Sequence, residues 1–240
     1  MSAPPFPGNS LSTILSQATP TPNVPYRILP LPRAQRLARA LKRGSDIAGA
    51  MTLLFILLPP LLILIFVVRL DGGPAFYRHT RVGLGGRPFR CVKFRTMVTA
   101  ADQLLASHLA TDAEAAREWS ARRKLADDPR VTRIGKLLRA TSLDELPQLL
   151  NVLRGEMSLV GPRPVVPEEL QQHYGIQGET AYLATRPGIT GLWQISGRSD
   201  TTYQQRVALD IRYVTEWSLL LDAMILLRTI PAVLARRGAM

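Results

Sequence analysis

Asp144 and Glu145 stand side by side in the stretch TSLDELPQLLNVLRGEMSLVGPRP, residues 141–164, and Arg163 is held between two prolines near its end. The chain carries a formal charge of +12, which points to an anionic partner. Two readings of the acidic pair are open. Ser142, Leu143, Asp144 and Glu145 match a capping box, in which the serine caps a helix and the glutamate reaches back to it. Acidic residues also suit the first turn of a helix. In the second reading, a carboxylate at a helix start has a lowered pKa and is ionised at neutral pH. It is then available as a nucleophile toward phosphorus or as a ligand for Mg²⁺. Neighbouring helical residues point ~100° apart. One nucleophile with one supporting residue is therefore the natural division of labour.

Basic residues recur in short blocks around this pair. KFRTM, residues 93–97, puts Lys93 and Arg95 on one strand face by the period of two. GPRP, residues 161–164, fixes Arg163 between Pro162 and Pro164. RPGITGLWQISGR, residues 186–198, adds Arg186, Trp193 and Arg198. Singly, each is an ordinary surface charge. Together they suit a diphosphate, because guanidinium forks match phosphate oxygens and proline-flanked loops hold them at low entropic cost.

The chain has 240 residues, enough for one domain with additions or two small ones. Cys91 is the one cysteine, which excludes an intrachain disulfide and a cysteine-built zinc site. His79, His108 and His173 are scattered, against a histidine-built metal centre. The few aromatic residues do not interleave with the basic ones as a nucleic-acid stacking platform requires, so nucleic acid is not an expected partner. No Asp-x-Asp motif, frequent in transferases that move a sugar without phosphate, is present. No Lys or Arg precedes Arg27 and no apolar core follows Met1, so a signal peptide is not expected. Eight of the 19 prolines fall within residues 1–32, and residues 1–40 read as a flexible tail.

Residues 47–68 hold 22 residues without a charge. As a helix they extend ~33 Å, just enough to cross a bilayer core. Pro59 and Pro60 near the middle argue for a break. Both flanks are basic, and basic flanks prefer the cytoplasmic side. The sequence therefore predicts a hairpin that dips into the membrane, breaks at Pro59 and Pro60 and returns. Beyond it, AFYRH and FRCVKF read as strands around a glycine-rich turn. Residues 99–125, a basic segment after Pro129, 143–154, 203–216 and 217–236 read as helices, and 162–200 as loops. The last helix could lie at the membrane interface or in the core.

KFRTM, R-x-x-SLDELPQLLNVL-x-G-x-MSLVGPRP and RPGITGLWQISGR resemble the signature blocks of the bacterial sugar transferases, the monotopic phosphoglycosyl transferases that start exopolysaccharide and O-antigen units. KRGSDIAGA before the apolar segment and RRGAM at the end are also similar, and the resemblance runs from about Lys42 to Met240. It implies transfer of a sugar 1-phosphate from a UDP-sugar to undecaprenyl phosphate with release of UMP. Asp144 matches the nucleophile of a covalent phosphosugar intermediate and Glu145 its partner. Asp144, with or without Glu145, would hold Mg²⁺. Arg139 matches a phosphate-holding arginine, and Pro162, Arg163 and Pro164 a loop near the nucleotide. The apolar segment matches a re-entrant helix broken at a proline, although Leu58, Pro59 and Pro60 depart from the family's usual serine version.

The expected fold class is α+β, mostly helical. A re-entrant helix-break-helix hairpin is attached to a small cytoplasmic catalytic domain with interfacial helices, residues 41–240. The expected location is the cytoplasmic face of a bacterial inner membrane, against anionic lipid. A short form of this kind is similar to members that start exopolysaccharides with glucose or galactose. A homodimer through the hairpin or the last helix is left open. So is a basic membrane-bound scaffold without activity.

Overall fold

The computed structural model describes residues 33–122, 125–196 and 202–234. Residues 38–240 form one compact unit. A short N-terminal unit, residues 1–37, is described only over its last five residues, which are helical. The tail expected for residues 1–32 lies outside the described residues, whereas 33–40, assigned to it, are helical. The described residues are mostly helical with a few short strands.

Helix α1, Arg33–Arg69, is long and apolar enough to cross a membrane by length and composition. It runs without interruption through Pro59 and Pro60, so the expected helix-break-helix is not what the structure has. The two prolines take an N–H each from the carbonyls of Phe55 and Ile56. Packing on both sides of that gap carries the helix across it. Leu57, Leu61, Leu64, Ile65 and Val68 enter one apolar cluster with Phe94 and Leu138, and Ala50 and Leu54 enter another with Leu149, Leu159 and Ile225. These inward positions recur at intervals of three and four, the stripe of a core-facing helix. The opposite face is also apolar and exposed, with Met51, Phe55, Ile56, Leu62, Ile63 and Phe66 open to the surroundings. An apolar surface of this extent marks an interaction site.

Strands β1, Phe76–Val82, and β2, Pro88–Phe94, pair antiparallel and place Tyr77 opposite Lys93 and His79 opposite Cys91. The helix expected over 99–125 is two, α2, Ala101–Thr111, and α3, Ala113–Arg122. Asp112 interrupts them because its carboxylate accepts the backbone N–H groups of Glu114 and Ala115 and starts α3 afresh. Helix α4, Arg133–Ala140, is capped by Thr132, whose hydroxyl accepts from the Gly135 N–H. A side chain at Gly135 would meet the Thr96 carbonyl at 2.1 Å, so α4 lies directly on the end of the β hairpin.

The expected helix 143–154 is a 3₁₀ turn, Leu143–Glu145, followed by α5, Gln148–Arg154. Pro147 separates them, and Gly155 closes α5 with φ 83°. Strand β3, Ser158–Val160, runs parallel to β4, Gly188–Thr190. Between them stand α6, Pro167–His173, and α7, Gly175–Leu183, where the sequence predicts loops. Pro167 sits at the first helical position, where its missing N–H costs nothing. Helices α8, Leu192–Ile195, α9, Tyr203–Thr215, and α10, Leu219–Leu234, complete the described chain.

Asn151 of α5 is fully buried and ties this helix to the hairpin. Its Oδ1 accepts from the Val92 N–H at 3.0 Å, and its Nδ2 donates to the Arg90 carbonyl at 2.8 Å and to Glu156 at 2.6 Å. Asn151→Ala strands the Val92 N–H in the core and is expected to destabilise the fold by about 2 kcal/mol, a fall in Tm of roughly 4–8 °C. A thermal melt unchanged within error would show that the bridge contributes nothing.

Candidate active site

Asp144 lies in the 3₁₀ turn between α4 and α5, with its side chain 14% exposed. The capping box is absent. Ser142 adopts a left-handed conformation, φ 56°, and makes no side-chain cap bond. The turn is instead closed by the Glu145 N–H on the Ser142 carbonyl at 3.3 Å. The pair thus belongs to a tight turn before a helix. Nor is the Asp144 pKa lowered. Burial raises it to about 6, with Glu145 adding repulsion, and the positive charges of Lys93 and Arg139 hold it from rising further.

Lys93, one residue from the end of β2, supplies the nearest cation. Its Nζ is 2.5 Å from Glu145 Oε1 and 3.9 Å from Asp144 Oδ2. Glu145 therefore holds the lysine in place beside Asp144. Arg139, in the last turn of α4, is fixed by a 2.9 Å bond from its Nε to Thr96 Oγ1. Burial lowers its pKa, and the charge of Asp144 works against that. A partly desolvated carboxylate with two cations beside it is suited to receive a phosphorylated molecule.

Arg163 stands on a separate loop. The Cys91 thiol is pushed up to about 11 by burial; Glu145 adds to the rise, and the positive charges of Lys93, Arg81 and Arg163 oppose it. The loop of Pro162, Arg163 and Pro164 leaves β3 and is pinned at both ends. The Pro162 carbonyl accepts from the Gly188 N–H at 2.8 Å, and the Val165 carbonyl from the Val82 N–H at 3.0 Å. The Tyr182 hydroxyl donates to the Val82 carbonyl at 2.9 Å and accepts from the Val165 N–H at 3.2 Å. The Arg163 guanidinium lies 5.2 Å from the centre of the Trp193 ring, and Arg206 lies 5.0 Å from the same ring.

Arg95 and Arg186, also singled out in the sequence, go elsewhere. All five N–H groups of Arg95 have acceptors: the Pro74, Met97 and Val68 carbonyls and both oxygens of Asp71. It has none left for a phosphate, and its place is to tie the end of α1 to the hairpin. Arg186 donates to the Gly155 carbonyl at 2.8 Å and lines a separate pocket with Arg43 and Asp46. Arg198 lies outside the described residues. Among the described residues no group of three or more His, Cys, Asp or Glu is placed to hold a metal.

Two contributors escape a reading by motif. Arg81 pairs with Glu169 at 3.4 Å and joins β1 to α6. Asp210, buried in α9, accepts from the Tyr174 hydroxyl at 2.8 Å and lies by the Arg163 backbone. Burial pushes its pKa up to about 7, and those two donors oppose the rise. A sequence signal for it exists: Asp210 falls on the same face of α9 as Val207 and Tyr213, where an acid needs a reason.

A family model described as bacterial sugar transferase matches residues 37–236. The chain belongs to the bacterial sugar transferase family. It is 52% identical over 206 residues to the UDP-galactose-lipid carrier transferase of Erwinia amylovora, covering 86% of this chain and 43% of that protein. It is 50% identical over 199 residues to the exopolysaccharide production protein ExoY of Rhizobium meliloti, covering 82% of this chain and 87% of that one. It is 48% identical over 206 residues to the undecaprenyl-phosphate galactose phosphotransferase of Salmonella typhimurium, covering 86% and 43%. The chain therefore spans less than half the length of two of these relatives and most of the third.

The site makes a direct prediction about charge. Difference infrared titration of the carboxylates, wild type minus Asp144→Asn, should show Asp144 titrating near pH 6. Lys93→Met removes a cation that favours the carboxylate, so the midpoint should move to higher pH. A wild-type midpoint near that of an ordinary aspartate would contradict the geometry.

Proposed function

We propose that the chain transfers a sugar 1-phosphate from a UDP-sugar to undecaprenyl phosphate and releases UMP, with Asp144 as nucleophile. This is the first membrane step of an exopolysaccharide or related glycan. The relatives named for undecaprenyl-phosphate, UDP-galactose and exopolysaccharide support the substrate classes, with galactose or glucose as the sugar. The observation that carries the chemistry is the desolvated carboxylate of Asp144 with Lys93 and Arg139 beside it.

In the first step an Asp144 carboxylate oxygen attacks the β-phosphorus. The bond from that phosphorus to the bridging oxygen breaks, and UMP leaves with the electron pair. The product is an acyl phosphate that carries the sugar. In the second step a phosphate oxygen of the lipid attacks the same phosphorus and the carboxylate departs unchanged. Burial withdraws water from the Asp144 carboxylate, which keeps it reactive. Lys93 and Arg139 hold charge where it builds on the phosphoryl oxygens. Arg163, fixed on its pinned loop, is suited to the far end of the diphosphate.

Mg²⁺ is usually bound by one or two carboxylates together with substrate phosphates. The adjacent Asp144 and Glu145 fit that donor set, whereas a cage built from protein alone is absent among the described residues. The two would hold the ion with the diphosphate, where it supplies Lewis-acid stabilisation of phosphoryl charge.

The exposed apolar face of α1 is suited to bilayer contact on the cytoplasmic side of the inner membrane. Lys42 and Asp46 near one end of the apolar segment and Val68 near the other are bonded to the same globular unit. This supports a helix that enters the membrane surface and does not cross it.

UMP release from a panel of UDP-sugars, with Mg²⁺ and undecaprenyl phosphate, tests the reading. One sugar should yield UMP, and Asp144→Asn should lower the rate by more than about a thousandfold. Without the lipid, intact-protein mass spectrometry should show a hexose phosphate on wild type only. UDP release in place of UMP would refute phosphosugar transfer. The first-step rate should also fall about tenfold per pH unit below pH 6, because the nucleophile is the deprotonated form. A rate flat from pH 7 to 5 would remove Asp144 from that role.

A further inference from the structure

Arg186 belongs to a block that the sequence associates with phosphate, yet the structure directs it away from Asp144. It lies in a pocket of about 130 Å³ with Arg39, Lys42, Arg43, Asp46 and Trp217 on its walls. The local construction is unusual. Arg43 donates to the Leu153 carbonyl at 3.3 Å and Arg186 to the Gly155 carbonyl at 2.8 Å. Both carbonyls are at the C-terminal end of α5, where cations are favoured. The helix end therefore holds two guanidinium groups close enough for Arg43 to lower the pKa of Arg186, after the larger effect of burial.

Helix capping alone accounts for one N–H of each arginine and leaves the rest. The Nη1 of Arg43 is buried and has no partner. Asp46 lines the same pocket and its charge favours protonated Arg186, but its hydrogen bonds go to other groups. Its Oδ1 accepts from Lys42 at 3.0 Å and from the Leu159 N–H at 3.1 Å, and its Oδ2 accepts from Ser158 at 2.8 Å. Lys42 is itself compensated by Asp46 and by Asp222 at 2.9 Å. The pocket thus has two arginines held in place, a third at an exposed position, and one carboxylate, Asp46, whose charge is shared with Lys42. Buried donors without acceptors are costly, and paired guanidinium forks are matched by phosphate oxygens.

We propose that Arg43 and Arg186, with Arg39 at the mouth, form a phosphate-binding site separate from the Asp144 surface. Its ligand is a phosphate group, carried by a membrane lipid headgroup or free in solution. Arg43 stands four residues before the uncharged segment that begins at Ile47, a position suited to a headgroup phosphate where that segment meets a bilayer. This inference stands independently of the role of Asp144.

Thermal melts of the full chain in dodecyl maltoside, a detergent without phosphate, test it. The probes are inorganic phosphate and monomeric dihexanoyl phosphatidylglycerol, each against chloride at matched ionic strength. At tenfold excess over Kd, binding should raise Tm by roughly 3–6 °C. Arg43→Gln and Arg186→Gln should abolish the rise, Arg39→Gln should weaken binding a few-fold, and Lys93→Gln should leave it intact. A rise with phosphate identifies a site for the free ion, and a rise with the diester alone identifies the headgroup. No rise with either probe in wild type overturns the proposal, whatever the variants do. A rise that survives in both Arg43→Gln and Arg186→Gln, or disappears only in Lys93→Gln, also overturns it by placing the anion elsewhere.

Discussion

Two buried carboxylates, Asp46 and Asp222, share the ammonium of Lys42, and four segments of the chain are fastened through them. Asp46 brings α1 to β3 through Ser158 and the Leu159 N–H. Asp222 brings α10 to α9 and the turn between them through the Tyr213 hydroxyl at 2.8 Å and the Trp217 indole at 3.2 Å. Tyr213 in turn donates to the Val160 carbonyl at the end of β3. Buried charge is costly unless paired and fully hydrogen-bonded, and here nearly every oxygen has a donor. Removing one member would leave the others charged and unpaired in the core. The network therefore fixes α1 at one end, and β3 with it, before any substrate enters.

From β3 the constraint passes directly to the site. The strand delivers the chain into the loop of Pro162, Arg163 and Pro164, and β4 and Tyr182 hold that loop against the end of β1. On the other side, Asn151 fastens α5 to β2, so the turn bearing Asp144 and Glu145 stays beside Lys93. Two halves of the site are positioned by the two strands of one hairpin. A shift of about 1 Å between them is enough to spoil a reaction that depends on orientation, which is why these ties are polar and directional as well as apolar.

The arginines show how function divides among like residues. Arg95 has all its donors satisfied by protein and is structural. Arg130 stands over Trp119 and pairs with Asp128 at 2.6 Å, again inside the fold. Arg139 is tied to Thr96 by one hydrogen bond and lies beside a carboxylate. Arg43 and Arg186 each have one hydrogen bond, to a backbone carbonyl, and neither is in a salt bridge with a carboxylate. The number of unspent donors, with burial, separates a structural guanidinium from one suited to bind an anion.

The sequence by itself determined the family, the acidic pair and its basic surroundings, the β hairpin, and a long apolar segment beside basic residues. These are local: residue types at fixed spacing are enough to specify them. It could not determine that Ser142 forgoes its capping role, that Pro59 and Pro60 fail to interrupt α1, or that residues 167–183 are helical. In the last two, long-range packing outweighs a local preference. Leu57 and Leu61 anchor α1 across the prolines, and Leu170, Tyr174 and Tyr182 bury one face of α6 and α7 in a cluster with Val82 and Val207. Only the tertiary structure decided the pKa of Asp144 and the destinations of Arg95 and Arg186. Desolvation and hydrogen-bond partners come from residues distant in the chain, and a one-dimensional pattern of charges carries neither.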